Sequence, residues 1–130
     1  MSVLVPIISY ENQLAVNLNE EFRLKAGQQV ELPDENFRIS FISVIEDSRC
    51  PIGIDLSAEG NAEILFILYH NGYEMEAVLN TNIQPHSILF KDYQITLKHL
   101  DPYPIHQKII FHGCYTASLV IKRVRAKTYS

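Results

Sequence analysis

Apolar and polar residues alternate with a period of two along most of this chain. Between Leu14 and Leu24 the even positions read Leu, Val, Leu, Glu, Phe, Leu, and the odd ones Ala, Asn, Asn, Glu, Arg. A helical stripe through Leu14, Leu18 and Phe22 would leave Val16 and Leu24 off it, so the spacing predicts strand. A break at Asn19-Glu20-Glu21 would split the run into two strands. Ala26-Gly27-Gln28 reads as a tight turn, Gln29 to Leu32 alternates again, and Pro33-Asp34-Glu35-Asn36 has turn composition. Phe37, Ile39 and Phe41 share one face of the next strand. The apolar parity flips at Ile42-Ser43-Val44, which predicts a bulge or sharp twist.

Ala62 to Tyr69 is apolar at nearly every position, the pattern of a central strand covered on both faces. His70-Asn71-Gly72-Tyr73 follows. Asn-Gly favours positive φ at both central positions of a type I′ turn, so it predicts a hairpin joining 61–70 to 73–80. Tyr93 to Lys98 alternates strictly, and the two prolines of Asp101-Pro102-Tyr103-Pro104 exclude that segment from a central strand. After Gly113, the residues Tyr115, Ala117, Leu119 and Ile121 fall on one face of a closing strand. Short strands, frequent turns and no helical stripe predict an all-β domain, an antiparallel β-sandwich or, alternatively, a closed β-barrel. With no Trp and no Cys…Trp…Cys frame, an immunoglobulin-like assignment gains no support.

Composition narrows the function classes. At 130 residues, 47% hydrophobic and 20% charged, the chain suits a single folded domain rather than disorder. A net charge of −4 provides no overall basic field and argues against nucleic acid as a partner. Lys122, Arg123, Arg125 and Lys127 read as a solvated end to the last strand rather than an anion or membrane patch. Met1 to Ile8 is apolar but lacks a basic n-region and is interrupted by Pro6, so it does not read as a signal peptide, and no run is long enough for a membrane span. The default expectation is a cytoplasmic protein with reduced thiols. Cys50 and Cys114 match no zinc spacing, and no cofactor motif is present. An apolar strand at Val3 to Ile8 would be safer paired, which predicts a homodimer.

The most specific block is Glu46-Asp47-Ser48-Arg49-Cys50-Pro51, followed by Gly60-Asn61-Ala62-Glu63-Ile64. Together with "YQITLKHLDPYP" at 93–104 and "YTASLVI" at 115–121, it resembles a family of small bacterial all-β domains with a D-S-R-C-P motif. Its members, many described as lipoproteins or secreted proteins, have no assigned function. The resemblance covers roughly residues 22–124. It implies a β fold and a fastener-like loop, and it implies no activity. In that family a second cysteine stands six residues after the first, with an aromatic two further on. Here those positions are Leu56 and Ala58, so the small disulfide loop that the family pattern implies is lost.

The residues themselves allow two main readings of the block. As a fastener, Asp47 and Ser48 accept bonds from nearby backbone N–H groups, and Arg49 offers a rigid five-donor fork to loop carbonyls or to Asp47, Glu46 or Asp55. Pro51 biases Cys50 toward extended geometry, and Gly60 supplies a φ that other residues resist. As a reactive centre, Cys50 would be a thiolate helped by Arg49, with a general base drawn from His70, His86, His99, His106 or His112. None of these histidines is near Cys50 in sequence, and the fastener reading is preferred. Two further alternatives are weaker. His112-Gly113-Cys114 with His106 and His99 is a loose match to metal-site grammar. Tyr69, Tyr73, Tyr93, Tyr103 and Tyr115 could form a platform for carbohydrate or peptide, although tyrosines at sandwich rims commonly place the ring inside and the hydroxyl in water.

Overall fold

The computed structural model describes residues 13–51, 60–105 and 108–124. Among them the alternating segments form nine strands: β1 (Gln13–Ala15), β2 (Phe22–Lys25), β3 (Gln29–Leu32), β4 (Phe37–Asp47), β5 (Ala62–His70), β6 (Tyr73–Asn80), β7 (Ser87–Phe90), β8 (Tyr93–Asp101) and β9 (Thr116–Arg123). One sheet has the order β1-β3-β4-β5-β6 and the other β2-β9-β8-β7. Neighbours are antiparallel, apart from β1 lying parallel to β3. No strand pairing joins the two sheets among the described residues. The protein is therefore a β-sandwich, and the closed barrel is excluded.

Period-two alternation explains the core. Phe37, Ile39 and Phe41 of β4 and Ala62, Ile64, Phe66 and Leu68 of β5 face Tyr93, Ile95 and Leu97 of β8 and Ala117, Leu119 and Ile121 of β9, all buried. Each large apolar side chain removed from water contributes roughly 1.5–3 kcal/mol, which is why one face of every strand reads apolar. Aromatic rings pack within and across the layers: Phe41 and Phe66 lie 5.4 Å apart within one sheet, and Phe37 and Tyr93 lie 4.8 Å apart across the sandwich.

Local signals act as read. Asn71 and Gly72 take φ of 49° and 89°, the positive pair a type I′ hairpin requires. The parity flip in β4 is two register shifts, between Phe41 and Ser43 and between Val44 and Glu46. The run from Leu14 to Leu24 divides into β1 and β2, which enter different sheets, with Val16, Leu18 and Phe22 packing partly against the core.

One expectation needs correction. β5 is central, but among the described residues only its inner face is covered by a second layer; Leu65 and Ile67 on the other face are partly exposed. Strand β7 carries no recognisable signal, because the Lys91-Asp92 hairpin turn contains neither glycine nor asparagine and Leu89 points to solvent.

The apolar segment Met1 to Ile8, Asp55, Leu56 and Ala58, His106, and Arg125 and Lys127 lie outside the described residues. No helix among the described residues is long and apolar enough to cross a membrane.

Candidate functional site

At the far end of β4 the chain leaves the five-stranded sheet through Asp47, and Arg49 crosses to the other sheet. Its guanidinium grips Asp47 with two parallel bonds, Nε donating to Oδ1 at 2.8 Å and a terminal nitrogen to Oδ2 at 2.8 Å. The remaining contacts go to main-chain oxygens: Leu100 O at 2.7 Å and Pro102 O at 3.0 Å, where β8 ends. Tyr115, at the start of β9, donates its hydroxyl to Asp47 Oδ2 at 2.9 Å. The Arg49 side chain is 2% exposed and the Asp47 side chain 11%. One carboxylate and one guanidinium thus join β4 to both β8 and β9, and the planar fork provides the geometry that a lysine would lack.

The electrostatics follow from burial. Burial raises the Asp47 pKa, but the bonds from Arg49 and Tyr115 and the guanidinium charge outweigh it, so the carboxyl titrates below its ordinary value. Burial, and then the carboxylate that accepts its hydroxyl, push Tyr115 up to about 12.

Ser48 and Gly60 close the loop from the other side. Ser48 N donates to Asn61 O at 2.8 Å, and its Oγ accepts from Asn61 N at 3.1 Å. Ser48 therefore clamps across the loop rather than onto its own neighbours, while Asp47 Oδ1 does accept the N–H two residues on, that of Arg49, at 3.2 Å. The role expected for Gly60 is also revised. Its φ is not positive; instead, a Cβ placed there would sit 1.5 Å from the Ser48 carbonyl oxygen. Glycine is required by close approach of two backbones, not by a left-handed turn.

A second network, unmarked in the sequence reading, extends from the same point. Asn61 Oδ1 accepts from Asn82 N at 2.8 Å and Ile83 N at 3.2 Å, and its Nδ2 donates to Asn80 Oδ1 at 2.9 Å. Thr81 Oγ1 accepts the Ala62 N–H at 2.9 Å. The Asn80-Thr81-Asn82 triplet beside Gly60-Asn61 was its available signal, since asparagine side chains commonly bond loop backbone.

Cys50 is half-buried, with Sγ 3.8 Å from the Pro51 carbonyl, and Cys114 is exposed on the β8–β9 connection. The described histidines are dispersed: His70 at the β5–β6 hairpin, His86 bonded to Asn80 O at 3.0 Å, His99 3.7 Å from Glu21, and His112 in a 3-10 turn. No group of three or more His, Cys, Asp or Glu suited to a metal ion occurs among the described residues. The five tyrosines are dispersed as well. Tyr93 and Tyr115 are buried at opposite ends of the sandwich, Tyr69 lies under Arg38 at 4.0 Å, and Tyr73 lies under Lys91 at 3.8 Å. Tyr103 sits 5.0 Å from the Arg49 guanidinium.

No family model matches the chain, and no curated protein or solved structure does so. The geometry of the clasp is therefore the ground on which its role is argued. A guanidinium whose charge is met by Asp47 at 2.8 Å and whose other bonds go to carbonyls has little field left to stabilise a thiolate. A depression of about 160 Å³, bordered by Arg49, Asn82, Lys98 and Tyr103, opens above it.

Proposed function

We propose that the protein is a non-enzymatic binding or structural β-sandwich module in which the Asp47–Arg49 clasp is an internal fastener. The observation that carries this reading is the guanidinium's bonding: a bidentate carboxylate, Leu100 O and Pro102 O, on a side chain that is 2% exposed. A group that binds or activates a substrate must present donors outward, and this one spends them on its own chain. The resemblance to the D-S-R-C-P family agrees, since it too implies a loop fastener. What the fastener holds is the root of the β8–β9 connection, so its service to function is to keep that connection in place.

The experiment is the alkylation rate of Cys50 by iodoacetamide at neutral pH, read by mass spectrometry so that Cys114 is followed separately. The expected result is a rate no faster than that of the urea-unfolded chain, whose thiols are unperturbed at a pKa of about 8.5. A folded-state rate ten-fold above it would favour the thiol-dependent enzyme or redox sensor instead.

A further inference from the structure

Two exposed apolar surfaces on this molecule have opposite charge. The first is the β8–β9 connection, Pro102 to Tyr115. Its root is pinned by Arg49 through Leu100 O and Pro102 O, and Ile110 packs against the core. The flanking residues point outward: Ile109 is 81% exposed and Phe111 72%. With Tyr103 and Ile105 they border an apolar cavity of about 230 Å³ that has Lys108 at its edge. No acidic residue occurs from Pro102 to Val124. Lys98 lies across Tyr103 on β8, and the adjoining Asp101 is paired with Arg23 at 3.2 Å.

The second surface is the outer face of the five-stranded sheet. Leu65 of β5 stands directly beside Val78 of β6, with Ile67 two residues along and Ile42 at the β4 bulge. An outer face of an antiparallel sheet is ordinarily polar, and no element among the described residues packs over this apolar centre. Its border is acidic: Glu46 beside Glu63, Glu76 beside Ile67 and Glu74 beside Tyr69. The one cation on this face among the described residues, Arg38, is stacked over Tyr69.

We infer that these surfaces are the two halves of one interface, the β8–β9 connection of one copy docking on the acid-bordered sheet face of a second copy. Each side supplies what the other lacks. The connection offers protruding apolar side chains next to lysines, and the face offers an apolar centre within carboxylates, so like charges are kept apart and unlike ones meet. Because the two patches differ, the contact is heterologous and can be repeated from copy to copy. The inference rests on the binding-module reading and gives that module its partner.

The test uses the full-length chain and sedimentation velocity over a range of concentrations. The wild type is expected to associate reversibly, more strongly at low salt than at high salt. Ile109→Glu places a carboxylate against the acidic border, and Val78→Lys places an ammonium against Lys108; both positions are exposed, so the fold tolerates them. Each variant alone is expected to lose association by at least about ten-fold. Mixed in equal amounts, they are expected to form a dimer and nothing larger, because Ile109→Glu retains an intact face and Val78→Lys an intact connection. A monomeric wild type, a Val78→Lys variant that associates normally, or a mixture that stays monomeric would each overturn the interface. So would a wild type that is monomeric alone but sediments with phosphatidylserine vesicles, which would assign the apolar connection to lipid. None of these outcomes bears on the Cys50 alkylation rate, so the module reading stands or falls separately.

Discussion

The two ends of the sandwich carry the same three chemical groups in different settings. At one end Asp47 meets Arg49 and the Tyr115 hydroxyl; at the other Glu35 meets Arg123 at 2.9 Å and the Tyr93 hydroxyl. Each carboxylate belongs to the β3–β4 side of the fold and each tyrosine to the opposing sheet, so both clusters fasten one layer to the other. Burial separates them. The Arg49 side chain is 2% exposed and bonded to a carboxylate and two carbonyls, whereas the Arg123 side chain is 57% exposed and bonded once. Water can replace the Arg123 contact at little loss. Water cannot readily replace that of Arg49, because the Leu100 and Pro102 carbonyls would lose a buried donor and Asp47 would keep only the Tyr115 hydroxyl and the backbone N–H of residue 49. The difference teaches that an ion pair's importance is set by what its removal strands, not by how short it is.

The largest consequence is an asymmetry between two alanine substitutions. Arg49→Ala should destabilise the fold by roughly 3–5 kcal/mol, since it leaves Asp47 charged without its guanidinium and takes a donor from the Leu100 and Pro102 carbonyls. Arg123→Ala should change stability by about 0–1 kcal/mol, as exposed pairs do. Urea unfolding curves of the two variants against the parent measure both. Equal effects would show the two clusters to be equivalent and remove the case for a buried fastener.

The next effect sharpens the comparison within the Asp47 end itself. Gly60→Ala brings a Cβ to 1.5 Å from the Ser48 carbonyl, so the loop must separate from β4 and the Ser48–Asn61 bonds must stretch. A loss of roughly 1–3 kcal/mol is expected, the usual range for forced overpacking. Gly113→Ala is the control, with open space around its Cα and no positive φ, and should shift the unfolding midpoint negligibly. Comparable midpoints for the two would mean that the loop yields freely and does not hold β4.

How far these features were legible depends on how far apart their partners lie in the chain. The Asn71-Gly72 hairpin, the Phe37-Ile39-Phe41 face and the β4 bulge are written in neighbouring residues, and the sandwich follows from them. The Asp47-Ser48-Arg49 block is visible as polar residues at a strand end, but the oxygens that bind Arg49 are main-chain atoms 51 and 53 residues away. Carbonyls have no residue-type signature, so only the donor could be named. Gly60 illustrates the same limit: its requirement comes from the Ser48 backbone across the loop, and a local reading assigns it to φ. The Glu35–Tyr93–Arg123 cluster, whose members lie 58 and 88 residues apart, had no mark at all. Similarly, the outer face of β5 reads as covered because apolarity is visible in sequence, whereas the lack of a second layer over it among the described residues is not.

The smallest effect separates the two tyrosines from the charges they serve. Burial and then the bonded carboxylate push Tyr93 and Tyr115 each up to about 12. A raised folded-state pKa means that the neutral phenol is favoured by folding. That contribution is complete below the unfolded value of about 10 and is lost as pH rises through about 12. Absorbance titration near the tyrosinate band should therefore show two of the seven tyrosines ionising late, with unfolding following them. Tyr115→Phe and Tyr93→Phe should each remove one late phenol and cost roughly 1.5–2 kcal/mol at neutral pH, the low end of the range for a bond to a charged acceptor. The ordering between them carries the comparison. Asp47 keeps three bonds from Arg49 when Tyr115 is lost, but Glu35 keeps only a half-exposed contact with Arg123, so Tyr93→Phe should be the more damaging of the pair. The reverse order would mean that the buried carboxylate depends on its hydroxyl donor as much as on its guanidinium.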